Sequence, residues 1–171
     1  MGGRRRGRAL ASALAAAIVM AAAPAADSRE ERNRAVVAHA FESWRQGTGS
    51  PYDLLSPQAR WTITGNSAAS RTYVGKEAFI AEVIRPFNAR MSARLIPTVR
   101  RLYSEGDTVI AFFDAAGTAR DGRPYTNTYA WFLTMEDGRI IDAHAFFDSI
   151  AFDDLWRRVE PVAADTAEAR P

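Results

Sequence analysis

The sequence predicts an α+β domain in which a curved antiparallel sheet packs against N-terminal helices and closes around a cavity as a half-cone. Three observations lead there. Apart from a short terminal segment, helical periodicity is confined to residues before 92. Four long runs of strand character follow, between residues 93 and 147. Short turns join them at Gly106-Asp107, Asp121-Gly122 and Asp137-Gly138, which makes the runs a meander. Helices that precede a meander cover one face of its sheet.

Length and composition set the frame. A chain of 171 residues with 4 Trp, 5 Tyr and 9 Phe buries a sizeable core as one domain. Residues 1–25 read as a secretory signal peptide: Arg4, Arg5, Arg6 and Arg8, then an uncharged span over 9–26, with Ala23-Pro24-Ala25 at the cleavage position. The alternative is a retained membrane anchor, against which the alanine-rich composition weighs. The expectation is an exported protein, periplasmic or secreted, that meets a membrane only if this segment is kept. Without its four arginines, 18 basic residues face 20 acidic ones, so no nucleic-acid partner is expected. The absence of cysteine excludes disulfides and thiolate metal sites.

The elements follow in order. Ser28 and Glu31 form a capping box for a helix over 28–46, with Val36, Val37, Ala40, Phe41 and Trp44 at helical spacing and Gly47 as its stop. A short helix over 52–55 ends at Ser56-Pro57. A strand over 59–64 sets Trp61 and Ile63 on one face, and a loop spans 65–70. A helix over 76–91 is kinked or shortened by Pro86. Pro97 marks the strand over 93–103 as an edge or bulged strand. Strands over 108–119, 125–135 and 140–147 complete the meander, and a helix over 151–159 is capped by Asp148 or Ser149. The domain thus spans 28–159, and residues 160–171 read as a disordered tail.

FESWRQG at the end of the first helix, ARWTITG in the first strand, YVGKEAF before the next helix and EDGRIIDAHAFFD in the last hairpin carry a resemblance. The chain resembles the nuclear transport factor 2-like superfamily, in its SnoaL-like and ketosteroid isomerase-like branch. That resemblance implies a cone-shaped half-barrel of cystatin-like type. It also implies a pocket for a small hydrophobic molecule, no cofactor and no metal, and a homodimer through the convex sheet face. Function is implied less sharply, since this superfamily holds isomerases, cyclases, epoxide hydrolases, dehydratases and non-enzymatic binding domains.

Two catalytic patterns of the superfamily bear on the candidate site residues. The three groups of a ketosteroid isomerase fall on Phe41, on a strand near Trp61 without carboxylate, and on Ala130 or Trp131, so that mechanism is not expected. The pattern of limonene epoxide hydrolases keeps only Asp114, with Phe112 and Ala145 at its other two positions. Asp114 is the expected catalytic base if it lies among apolar neighbours, where burial raises its pKa. The alternative is a pairing with Arg94, Arg100 or Thr98. His144 is a second catalytic candidate, although alternation places it on the convex face unless a bulge reverses the parity. Trp61, Phe112, Asn127, Tyr129, Trp131 and Phe147 are the expected substrate-binding residues. Two functions remain open: a cofactor-free isomerase, cyclase or hydratase acting on a hydrophobic oxygenated substrate, or a binding protein or dimeric interaction domain without catalysis.

Overall fold

The computed structural model describes residues 28–162. The leader and most of the expected tail lie outside them. Helix α1 (Arg29–Gln46) starts as the sequence demands. The Glu31 N–H donates to the Ser28 hydroxyl at 3.2 Å, and the Ser28 N–H donates to the Glu31 carboxylate at 2.9 Å. Gly47, at φ 78°, turns the chain out in the left-handed conformation that glycine adopts without strain. A 3₁₀ turn (Pro51–Leu54) leads into β1 (Leu55–Ile63).

Next comes a strand too short to register in the sequence, β2 (Thr72–Val74). Helix α2 (Lys76–Phe79) passes through a π-helical stretch (Ile80–Ile84) into α3 (Arg85–Asn88). Pro86 accounts for the stretch: it offers no N–H to the carbonyl four residues back, and the Arg85 N–H reaches the Ile80 carbonyl instead. The meander is β3 (Met91–Glu105), β4 (Thr108–Ala119), β5 (Pro124–Glu136) and β6 (Arg139–Phe147), closed by α4 (Ser149–Arg158).

The sheet order is β2-β1-β6-β5-β4-β3. The meander is antiparallel as expected, and the sheet as a whole is mixed, because β1 runs parallel to β6, with Trp61 opposite Ala143 and Ile63 opposite Ala145. The meander leaves two edges, and β3 is spoiled for pairing by Pro97 and by register shifts on either side of it. β6 is the edge that β1 joins. Inside the sheet's curve, Phe41 and Trp44 of α1 meet Phe113 and Trp131, with the Phe41 and Phe113 rings edge to face at 4.8 Å.

Alternation assigns the faces. On β5, Tyr125, Asn127, Tyr129, Trp131 and Leu133 turn inward, the side expected for the last four. On β4 the inward set is Val109, Ala111, Phe113 and Ala115, which reverses the expectation for Phe112 and Asp114. Cross-strand partners share a face, and the Asp121-Gly122 turn pairs Phe113 with Tyr129 and Asp114 with Thr128. Once Tyr129 points in, Asp114 points out.

Candidate functional site

Between the inner sheet face and the helices lies a cavity of about 640 Å³. Its wall is aromatic because Tyr129 and Trp131 of β5, Trp61 of β1 and Phe147 of β6 all reach it, while the 3₁₀ turn adds Tyr52 and α2 adds Phe79. The rings lock one another. Trp61 stacks on Phe79 at 4.5 Å and meets Trp131 edge to face at 5.0 Å. Phe113, behind the wall, stacks on Tyr129 at 4.8 Å. Such a box of interlocked rings is a pre-formed, largely apolar cavity.

Its polar atoms are few. The Tyr125 and Tyr129 hydroxyls lie 3.1 Å apart, and the Asn127 amide nitrogen donates to Tyr125 at 3.0 Å. Residues 125, 127 and 129 alternate with outward ones on a single strand, so one face brings all three together. Asn127 is otherwise committed to the backbone. Its oxygen accepts the Asp148 N–H at 2.9 Å, and its nitrogen donates to the Asp148 carbonyl at 3.0 Å. Asn127, expected to bind substrate, uses its amide to stitch β5 to the start of α4 and does not line the cavity.

The Tyr52 hydroxyl and the indole N–H groups of Trp61 and Trp131 have no hydrogen-bond partner among the described residues, yet no fully enclosed side-chain polar atom is unsatisfied there. These donors keep access to the cavity they line. Burial pushes the Tyr52, Tyr125 and Tyr129 hydroxyls above their ordinary pKa, so all three stay protonated at neutral pH.

Charge is confined to the mouth. Asp53 accepts the Ser50 N–H at 2.7 Å, and Arg94 donates to the Trp44 and Arg45 carbonyls at 2.7 and 2.8 Å. Glu77 sits 3.5 Å from Arg85. Lys76 has no ion pair or hydrogen bond among the described residues.

The expected catalytic residues lie elsewhere. Asp114 stands on the outer face, where it takes Arg100 at 2.6 Å and the Thr128 hydroxyl at 2.7 Å. Those two partners, Thr128 foremost, hold its carboxyl below the ordinary range, the opposite of a base raised by burial. Phe112 shares that outer face, under the Arg100 guanidinium at 5.1 Å. His144 is also outside, 3.1 Å from Asp142, as strand parity indicated; no bulge brings it inward. Trp61, Tyr129, Trp131 and Phe147 do line the cavity.

A family model for the SnoaL-like domain matches residues 34–143. The chain belongs to the SnoaL-like domain family. A search of the curated proteins finds no match. Among solved structures, the domain is similar to Bal32a from a soil-derived mobile gene cassette, at 21% identity and a TM-score of 0.64 over 76% of this chain and 100% of that one. It is similar to a putative SnoaL-like polyketide cyclase from Jannaschia sp. CCS1, at 21% identity and 0.57 over 74% and 93%. TerC co-crystallised with polyporic acid gives 20% identity and 0.59 over 72% and 97%. At such identities the likeness concerns the fold, which other neighbours share as nuclear transport factor 2-like or cystatin-like.

Within this SnoaL-like domain, sequence reasoning missed Tyr52, Phe79 and Tyr125. Tyr125 carried a signal, since it sits two residues before Asn127 on the same face. Tyr52 carried none, because its place depends on how a four-residue turn docks against the sheet.

Proposed function

We propose that this SnoaL-like domain binds a flat, hydrophobic, oxygen-bearing small molecule in the aromatic cavity. One observation carries the reading: among the described residues, the Tyr52 hydroxyl and the Trp61 and Trp131 indole N–H groups of the ring wall have no hydrogen-bond partner, and each can donate to a ligand. A ligand with apolar faces and an acceptor oxygen matches such a wall, and burying a strongly solvated one would be costly. The neighbour co-crystallised with polyporic acid is consistent with a ligand of this kind.

A ligand screen by tryptophan fluorescence and thermal shift tests it. Ala145 lines the cavity, and Ala145→Phe fills the space. Hits on the wild type that Ala145→Phe abolishes support the reading, and hits that survive the plug place the binding elsewhere and overturn it.

A second reading, catalysis, is favoured by the protonated phenols of Tyr52 and Tyr129, which line the cavity. Donors fixed in an aromatic wall stabilise an oxyanion as it develops, the central demand of ketone isomerisation or cyclisation. The carboxylates lining the cavity are Asp53 and Glu77 at its mouth. Turnover of a bound hit, lost in Tyr52→Phe or Tyr129→Phe, identifies an enzyme.

The outer face suits a homodimer, with Phe132 and Phe146 at 38% and 44% exposure and their rings 5.7 Å apart. Sedimentation of wild type against Phe132→Glu measures it; a dimer for both, or a monomer for both, removes that assignment.

A further inference from the structure

We infer that Asn127 fixes the direction of a hydroxyl relay that ends with the Tyr129 proton aimed into the cavity, which makes a subsite for a carbonyl oxygen. The inference rests on the cavity-binding reading and names the polar chemistry its ligand presents.

The direction follows by elimination from the Asn127 amide. Its oxygen accepts the Asp148 N–H at 2.9 Å and its nitrogen donates to the Asp148 carbonyl at 3.0 Å. Turning the amide over would set its NH₂ against an N–H and its oxygen against a carbonyl, so the backbone of Asp148 holds it one way. The remaining amide hydrogen goes to the Tyr125 oxygen at 3.0 Å. Tyr125 therefore receives, and its own hydrogen needs an acceptor in a buried site. The acceptor found among the described residues is the Tyr129 oxygen at 3.1 Å. Were Tyr129 the donor, the Tyr125 hydrogen would be enclosed without a partner, the costly arrangement that buried polar groups avoid.

The relay thus runs from Asn127 to Tyr125 to Tyr129, and each link polarises the next. At its end, the Tyr129 hydrogen has no protein acceptor among the described residues. Tyr129 lines the cavity and Tyr125 does not, so that hydrogen is offered to whatever the cavity holds. Burial keeps both phenols protonated. Asn127 is accordingly a positioning residue that acts through Tyr125, and Tyr129 is the contact.

Two probes of almost equal shape test the subsite: 2-acetylnaphthalene, and 2-isopropenylnaphthalene, in which a C=CH₂ replaces the C=O. Both are titrated against the full chain by tryptophan fluorescence. The wild type should prefer the ketone by about tenfold, the ratio that one satisfied buried hydrogen bond supplies. Tyr129→Phe should abolish the preference. Tyr125→Phe leaves the Tyr129 hydroxyl in place but frees its proton, so the preference should fall about threefold. The infrared C=O stretch of the bound ketone should be red-shifted in wild type, less so in Tyr125→Phe and unshifted in Tyr129→Phe. Circular dichroism checks that each variant folds, and the wild-type comparison stands without them. Equal binding of the two probes by wild type refutes the subsite while leaving the cavity reading intact. A full preference and red shift in folded Tyr125→Phe refutes the relay. Binding of neither probe refutes the cavity reading and this inference with it.

Discussion

Replacing Asn127 by leucine keeps the branching of a buried side chain, enlarges it and deletes its amide. Three hydrogen bonds go with it: those to the N–H and the carbonyl of Asp148 and the one to the Tyr125 hydroxyl. Tyr125 keeps its bond to Tyr129, so its loss is a single accepted bond. Asp148 loses more, since both its backbone groups are left in partly buried surroundings. At roughly 1 kcal/mol for each group, the sum is about 2–4 kcal/mol. For a domain of this size each kcal/mol moves the midpoint by about 2–4 °C, so Tm should fall by roughly 5–15 °C. Thermal denaturation followed by circular dichroism measures this, with Thr126→Ala, on the exposed face of the same strand, as the control. A fall of less than about 2 °C, no larger than the control's, would refute the stitch and show that water replaces the amide at little cost.

Three further variants have expected outcomes. Asp114→Asn should leave cavity binding unchanged, because the carboxylate lies on the outer face with Arg100 and Thr128; a loss of ligand affinity would contradict that placement. The carboxyl's folded pKa is depressed, so its stabilisation is present above the ordinary carboxylate value and lost as pH falls through the folded one. The Tm profile of Asp114→Asn between about pH 5 and pH 2 should therefore be flatter than that of wild type. Asp148→Ala removes the side chain that accepts the Ile150 and Ala151 N–H groups at 2.9 and 3.3 Å, and urea denaturation should report a cost of about 1 kcal/mol. Phe113→Ala empties a fully buried site among Phe41, Tyr129 and Trp131, with an expected loss of about 3–5 kcal/mol by the same assay.

What could be read in advance depended on whether the signal was local. The capping box at Ser28, the left-handed stop at Gly47 and the turns of the meander are each written within a few residues, and each formed as expected. The inward side of β5 was legible because it carries Tyr125, Tyr129 and Trp131 against a single ring, Phe132, on the other side. Asp114 misled for a physical reason: a carboxylate between Phe113 and Ala115 looks costly, and the pair that stabilises it spans two strands. The register of the Asp121-Gly122 turn held the correction, since Asp114 pairs with outward Thr128. An amide in mid-strand demands a partner, but only the folded chain reveals that the partner is the backbone of Asp148. β2, at three residues, and the parallel pairing of β1 with β6 depend on distant contacts that no local pattern announces.

That parallel pairing also sets the order in which the site can be made. A growing chain that has reached Glu136 holds β5 with Tyr129 and Trp131, but β1 with its Trp61 still lacks the strand that will seat it. Only when residues 139–147 arrive can β1 dock, closing a loop that spans most of the sheet, so the costliest closure comes late. The cavity is then a product of the final step rather than a nucleus for the earlier ones. A ligand that recognises the finished ring wall meets it only after this closure, so it should slow unfolding while leaving the rate of folding untouched.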